Sequence, residues 1–474
     1  MLNYENLLSA VTAPADATAE HTREVLDPAT GALIGTAPVR DVAALEAAID
    51  RAEQAQRDWA ALGEEQRSAC LNRAADAIEA HAEPLAELLS REQGKPLNGP
   101  NARFEVGGCV AWTRAAADTP LPPEVVVDDE SGYAEMHYRP IGVVGAISPW
   151  NWPMMISIWQ IAPSLRMGNT VVLKPAETTT LSVLALVHVM NTVLPEGVLN
   201  VVPGPGRTVG EALTGSPKIG KIMFTGSTKV GKGIVEASAS NLTRLTLELG
   251  GNDAGIVLPD ADPHAIAEEL FWGAFINTGQ TCAALKRLYV HDSIYDAVVE
   301  ELAGVAAATP MGVGLEEQNL LGPLQNQAQF DIVDRLVESA RASGARVVLG
   351  GNPDRDAVGF FYPATLIADI DAHQELVLEE QFGPALPIIR YTDVDEAIRL
   401  ANELEVGLGS SVWSSDRAEA LRVAARLEAG TTWINSHGGL HPMIPFGGIK
   451  HSGYGREFGV EGLKAVANPH VISG

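Results

Sequence analysis

Basic side chains are scarce in this sequence. Its 33 Lys and Arg stand against 60 Asp and Glu, leaving a net charge of −27. Such a surface repels phosphate backbones and anionic lipid, which excludes nucleic-acid binding and membrane adsorption. It also disfavours a highly anionic substrate unless the site is locally basic. Cysteine is scarcer still, with three residues far apart at 70, 109 and 282. An odd, sparse set builds neither a disulfide framework nor a zinc site, and the reducing cytoplasm is the expected compartment. Long apolar runs are missing too. The most apolar stretch, WPMMISIWQIAPSL (152–165), is too short for a bilayer and is broken by Gln160 and Pro163. The opening MLNYENLLSAVTAPADATAE (1–20) has no basic start and no continuous apolar core, so no signal peptide is expected. There is no internal repeat and no low-complexity tract.

What is present is a chain of 474 residues, 46% hydrophobic, enough for two or three domains at roughly 100–200 residues each. To about Asp118 the pattern is mostly helical. DVAALEAAIDRAEQAQRDWAAL (41–62) and EEQRSACLNRAADAIEAHAEPLAELLSREQG (64–94) carry Ala, Leu and Ile at helical spacing. Cys70 and Cys109 read as packing residues on such faces. TPLPPEVVVDDESGYAEMHYRP (119–140) reads as two extended runs around a polar turn. An isolated hairpin of this kind has open edges and invites completion by another subunit.

From Ile141 the pattern is strand, loop, helix, repeated. IGVVGAIS, GNTVVLKP, GVLNVVPG, KIGKIMFTG and LTRLTLELGG are short apolar runs ending near Gly or Pro. They predict a parallel sheet with crossover helices, whose ligands gather at the strands' carboxyl ends. A second α/β region runs from Asp253 to about Ser452, with strands at RLYVHD, ARVVLGG and TTWINSH. The tail KAVANPHVISG (464–474) is a final strand candidate.

The stretch MFTGSTKVGKGIVEA (223–237) adds a glycine turn between strand and helix. Gly226, Gly231 and Lys232 fit a phosphate-binding loop of the triphosphatase type, but Gly233 stands where a Mg²⁺-binding hydroxyl is needed. Other polar residues close neighbouring strands: Asn151 in ISPWNWP, Lys174 and Glu177 in VLKPAE, Glu248 in LELGG, and Cys282 in FINTGQTCAALKR. Each alone has a plainer reading. Asn151 suits a turn before Trp152-Pro153, Glu248 an exposed strand end, and Glu177 a helix start favoured by the dipole. Trp152, Met155 and Trp159 have core spacing. A lone Cys is usually inert, although a Gly-containing turn is a poor place for core packing. On these residues a P-loop protein remains open, as does a nitrilase-like amidase built on Cys282, Glu248 and Lys174.

The chain resembles the aldehyde dehydrogenase superfamily. The resemblance is carried by PWNWP (149–153), VVLKPAE (171–177), FTGSTKVG (224–231), LELGG (247–251), FINTGQTC (275–282), EEQFGP (379–384) and PFGGIKHSGYGRE (445–457). The resemblance covers almost the whole chain, with these motifs in matching order and spacing. The resemblance implies an α/β fold with a Rossmann-like cofactor domain (1–118 and 141–251) and a second α/β catalytic domain (252–452). Residues 119–140 and 453–474 would form an oligomerisation hairpin and C-terminal segment of a homodimer or homotetramer.

It further implies that Cys282 attacks the aldehyde, a thiolate needing a pKa below the usual value of about 8.5. Asn151 and the Cys282 backbone N–H would hold the oxyanion. Glu248 would be the base for deacylation, its pKa raised by an apolar pocket, and its presence implies hydrolysis to the acid rather than transfer to coenzyme A. Lys174 joins this catalytic set and, with Glu177, the adenosine ribose. Glu177 favours NAD, with NADP admitted. Trp150, Gly226, Ser227, Gly231, Leu249, Gly250, Glu380 and Phe382 complete the implied cofactor site. Trp152, Met155, Trp159, Thr281 and His437 line the implied substrate pocket, pointing to apolar or aromatic aldehydes. No Arg lies in 436–443 or beside Cys282, which weakens a carboxylate-bearing substrate. His437 and His441 lack a carboxylate or Cys companion, so no metal is implied.

Overall fold

The computed structural model describes residues 3–14, 18 and 21–474. The stretch 1–20, read as lacking a signal peptide, lies partly outside them. No helix among the described residues is long and apolar enough to cross a membrane.

The five apolar runs after Ile141 all form strands of one six-stranded sheet. Its order is Gly453–Tyr454, Arg244–Glu248, Ile219–Thr225, Val143–Ile147, Thr170–Lys174, Leu199–Val201. The last five are parallel and the short edge strand is antiparallel. Register matters here. Ile147 lies opposite both Phe224 and Lys174, and Thr225 opposite Glu248, so the carboxyl ends finish level. That brings the loops after four successive strands to one rim.

A seven-stranded sheet follows, ordered Arg346–Leu349, Thr365–Ala368, Ala385–Tyr391, Leu285–His291, Asp253–Val257, Gly409–Trp413, Thr431–Ile434. It is parallel except for its first strand. The fold is therefore α/β with two parallel sheets, helices covering buried, Val- and Ile-rich strands. The expected hairpin forms from Glu124–Asp129 and Gly132–Pro140, and the tail strand Ala467–Ser473 pairs along it.

Two local differences have clear causes. The helical stretch 64–94 is two helices, Glu64–Ala80 and Ala82–Gln93. Pro84 has no N–H for the Ala80 carbonyl and its ring would clash there, so one continuous helix cannot form. The segment before Asp118 also contains a hairpin, Thr22–Leu26 with Leu33–Pro38. Its turn is DPATG: the Asp27 carboxylate accepts from the Ala29 N–H at 2.7 Å, and Gly31 takes φ +69°.

Candidate active site

Cys282 does not close a strand of the first sheet, as its company in the sequence suggested. It sits just before Leu285–His291, at the amino end of a central strand of the second sheet. Helix Pro263–Phe275 ends, and the chain turns through three left-handed residues, Asn277, Thr278 and Gly279, at φ 50°, 55° and 76°. Such φ at non-glycine residues costs on the order of 1–3 kcal/mol each and persists only where surroundings enforce it. They do so here. Asn277 Nδ2 donates to the Asn151 carbonyl at 2.9 Å, Thr278 Oγ1 accepts from Gly322 at 3.0 Å, and Gln280 Oε1 accepts from Gln325 at 2.9 Å. Gly279 admits no side chain: a Cβ there would stand 2.3 Å from the Gly383 carbonyl oxygen. The turn leaves residue Cys282 half-buried, unlike Cys70 and Cys109, which are buried.

Asn151 is buried against this turn, and its side-chain amide donates to the Gln280 carbonyl at 2.9 Å. One amide hydrogen is thereby spent and the other remains. The Cys282 backbone N–H has no acceptor among the described residues. Both are donors of the kind an oxyanion requires. Asn151 is itself fixed from behind. Lys95 Nζ donates to the Asn151 carbonyl at 2.8 Å and to Glu105 at 2.6 Å, with both side chains fully buried. The other Glu105 oxygen accepts from the Met154 and Met155 N–H groups, closing the start of helix Pro153–Arg166. Burial lowers the Lys95 pKa to about 8, with Glu105 opposing.

Glu248 ends the strand Arg244–Glu248 and is buried, with both carboxylate oxygens lacking a partner among the described residues. Burial holds it well above the ordinary carboxylate range, Glu457 pushes it further, and Arg456 opposes. Glu457, also buried, is raised to about 8 by the same desolvation, against Lys221. The two carboxyls cannot both ionise cheaply. Burial likewise pushes the Cys282 thiol up to about 12, the opposite of the lowered value expected from the sequence. Lys286 pulls it down, while Glu248, Glu380 and Asp253 raise it.

Two further carboxylates flank the rim. Glu380 accepts from the Gly251 N–H at 3.3 Å and pairs with Lys286 at 3.1 Å. Phe382, at φ 45°, packs edge-on against Trp150 with centroids 5.4 Å apart. Glu177 accepts from the Gly206 N–H at 3.0 Å and pairs with Arg23. Against the burial that would raise it, these two hold its carboxyl below the ordinary range. Lys174 is buried, which lowers its pKa, and donates to the Pro175 carbonyl at 2.9 Å.

Between them begins helix Thr228–Ser238. Ser227 is its N-cap, the hydroxyl oxygen accepting from the Val230 N–H at 3.4 Å with its own proton free to donate. The glycines serve packing as much as ligand approach. A Cβ on Gly226 would meet the Phe224 ring at 2.6 Å, and one on Gly231 would meet Leu249 at 2.6 Å. Lys232 is exposed. A Cβ on Gly250 would lie 2.5 Å from Glu380 Oε2. The donor set therefore fits a dinucleotide, with a carboxylate at each end for ribose hydroxyls and a helix N-terminus between them for the pyrophosphate.

The substrate-pocket residues divide. Trp152 Nε1 donates to Thr281 Oγ1 at 2.9 Å, joining the start of helix Pro153–Arg166 to the residue before Cys282. Trp159 belongs to an aromatic cluster with the buried Phe446 and Phe458 and the half-buried Trp112, at centroid distances of 4.8 to 5.9 Å. Met155 lies one turn before Trp159 and packs where Gly108 has no side chain. His437 is buried among residues of the second sheet. Its ring is buried beside Trp433, bonded to Ser411 at 2.9 Å and 3.5 Å from Asp253.

Glu457, Lys286, the Lys95–Glu105 pair and the aromatics Trp112 and Phe458 were not singled out from the sequence. Glu457 closes the GYGRE motif and Lys95 stands in GKPL, so both had a local signal. Lys286 showed only as a charge in an apolar strand.

A model of the "Aldehyde dehydrogenase family" matches residues 15–472. The phenylacetaldehyde dehydrogenase of Pseudomonas fluorescens is 40% identical over 466 residues, covering 95% of this chain and 92% of that protein. An Escherichia coli NADP-dependent enzyme superposes at TM-score 0.95, with 33% identity over 100% of this chain and 99% of its own. The betaine aldehyde dehydrogenase of Staphylococcus aureus, in complex with NAD⁺, gives TM-score 0.92 at 31% identity, covering 99% and 96%.

Proposed function

The chain belongs to the aldehyde dehydrogenase family of NAD(P)-dependent oxidoreductases, and from that premise we propose that Cys282 carries the aldehyde through a thiohemiacetal and a thioester, released as the acid by water that Glu248 activates. The observation that carries this reading is the conjunction at one rim. A half-buried cysteine lies next to the turn that Asn151 braces with an amide hydrogen to spare, and near a buried carboxylate with no hydrogen-bond partner among the described residues. The P-loop and amidase readings give way to it.

Cys282 Sγ adds to the carbonyl carbon, and the developing charge on oxygen is met by Asn151 Nδ2 and the Cys282 N–H. Bound NAD(P) supplies the hydride acceptor. Glu177 and Lys174 would hold it at the adenosine ribose and Glu380 at the nicotinamide ribose. Ser227 and the helix N-terminus would hold the pyrophosphate, with Trp150, Phe382, Leu249, Gly250, Gly226 and Gly231 shaping the cleft. Glu248 then takes a proton from water as the water attacks the thioester. Its raised pKa suits that role. A carboxylate whose pKa is raised is a stronger base than an ordinary one, and Glu457 beside it offers a second place for the proton.

On substrate, the apolar aromatic cluster favours an aromatic or extended apolar aldehyde. On cofactor, Glu177 favours NAD, while Arg23 paired to it softens the repulsion of a 2′-phosphate. A screen of aliphatic, aromatic, amino- and carboxy-aldehydes, followed by absorbance of reduced cofactor, tests both. Aromatic aldehydes with NAD should give the highest kcat/KM. Preference for a carboxy-aldehyde would contradict the pocket reading.

The two sheets would serve as the cofactor domain (1–118 and 141–251) and the catalytic domain (252–452). The segments 119–140 and 453–474, paired in one small sheet, leave Val125, Val126, Val471 and Ile472 exposed. A second copy of this chain covering them would make a homodimer or homotetramer. Sedimentation at micromolar concentration should give a multiple of the chain mass, and a monomer would contradict this. The three free cysteines support a cytoplasmic setting.

A further inference from the structure

Lys286 is the second residue of the strand that follows the nucleophile, and its side chain is 2% exposed. A buried ammonium needs acceptors for its protons and a counter-charge. Lys286 finds both in the active site: Nζ donates to the Cys282 carbonyl and lies 3.1 Å from Glu380 Oε1 and 5.7 Å from the Phe382 ring centroid. Its backbone is held as well, since the Lys286 carbonyl accepts from Gln381 Nε2 at 3.2 Å. The nucleophile, the ammonium and a carboxylate of the cofactor cleft are thus tied in one chain of contacts.

The charges around Cys282 are otherwise adverse. Glu248 from the first sheet, Asp253 from the neighbouring strand, and Glu380 all disfavour a thiolate, and His437 behind Asp253 is bonded away to Ser411. Lys286 opposes them. We propose that Lys286 is a positioning residue, the cation that stabilises the Cys282 thiolate and fixes the Cys282 carbonyl, with Glu380 tempering its charge. This rests on the reading of Cys282 as nucleophile.

The test is the pH profile of Cys282 alkylation by iodoacetamide in the cofactor-free protein, followed by mass of the Cys282 peptide. In Lys286→Gln the profile moves to higher pH, and alkylation at pH 8 falls about tenfold, the effect of one pKa unit. Lys286→Arg restores most of the rate, which a role in packing shape alone would not predict. Glu380→Gln moves the profile the other way and raises the rate at pH 8, a measurement that stands even if Lys286→Gln does not fold. Unchanged profiles in Lys286→Gln, or a Glu380→Gln rate no higher than wild type, overturn the proposal. Those results leave the nucleophile assignment intact. That assignment fails separately, if Cys282→Ala still turns over.

Discussion

Cys282→Ala will lose aldehyde oxidation by at least about 10⁴-fold in kcat while still binding NAD, because removal of a covalent nucleophile discards the path itself rather than one contribution to it. The cofactor residues Glu177, Ser227 and Glu380 lie on other segments, and none bonds to the Cys282 side chain. The left-handed turn at 277–279 is anchored through Asn277, Thr278 and Gln280, so truncating the thiol leaves its scaffold in place. Calorimetric titration with NAD should therefore give a dissociation constant close to wild type. Turnover near the wild-type rate in this variant would remove Cys282 from the mechanism.

Glu248→Gln is expected to act later in the cycle. Acylation does not need the water-activating base, so one equivalent of NADH should appear rapidly and turnover should then stall. The loss in steady-state kcat should be on the order of 10²–10⁴-fold, the contribution usual for a general base. The pH dependence follows from the direction of the shift. A carboxyl raised by burial and by Glu457 keeps its proton to higher pH than an ordinary carboxyl and works only after losing it. Wild-type deacylation should thus climb as pH rises through the raised pKa, and Glu248→Gln should lack this limb. At pH values where Glu248 is ionised, the substitution also removes a negative charge that disfavours the thiolate, so Cys282 in this variant should there be alkylated faster than in wild type. A slow burst with normal steady state would instead put Glu248 in acylation.

The features legible in the sequence are those whose signals are local. Five apolar runs between Gly and Pro became five parallel strands, and DDESG became the turn of the hairpin at 119–140. The polar residues closing those runs met at one rim because the strands are level, a consequence of register that alternation and turns already constrain. The rest depends on contacts far along the chain. Lys286 meets Glu380, and Lys95 meets the Asn151 carbonyl, across separations that no periodicity reports. His437 looked like a loop residue open to substrate. Its ring is buried against Ser411 and Trp433 of the second sheet. The glycine turn at 226–231 suggested close approach of a phosphate, yet both glycines are also demanded by Phe224 and Leu249, which sequence alone does not bring together.

The central claim is a covalent thioester on Cys282. The direct measurement is the mass of the Cys282 peptide from Glu248→Gln, mixed with aldehyde and NAD and quenched in acid as the NADH burst ends. The mechanism predicts one acyl group on Cys282 for each NADH formed. An unmodified Cys282 peptide alongside a full equivalent of NADH would contradict it.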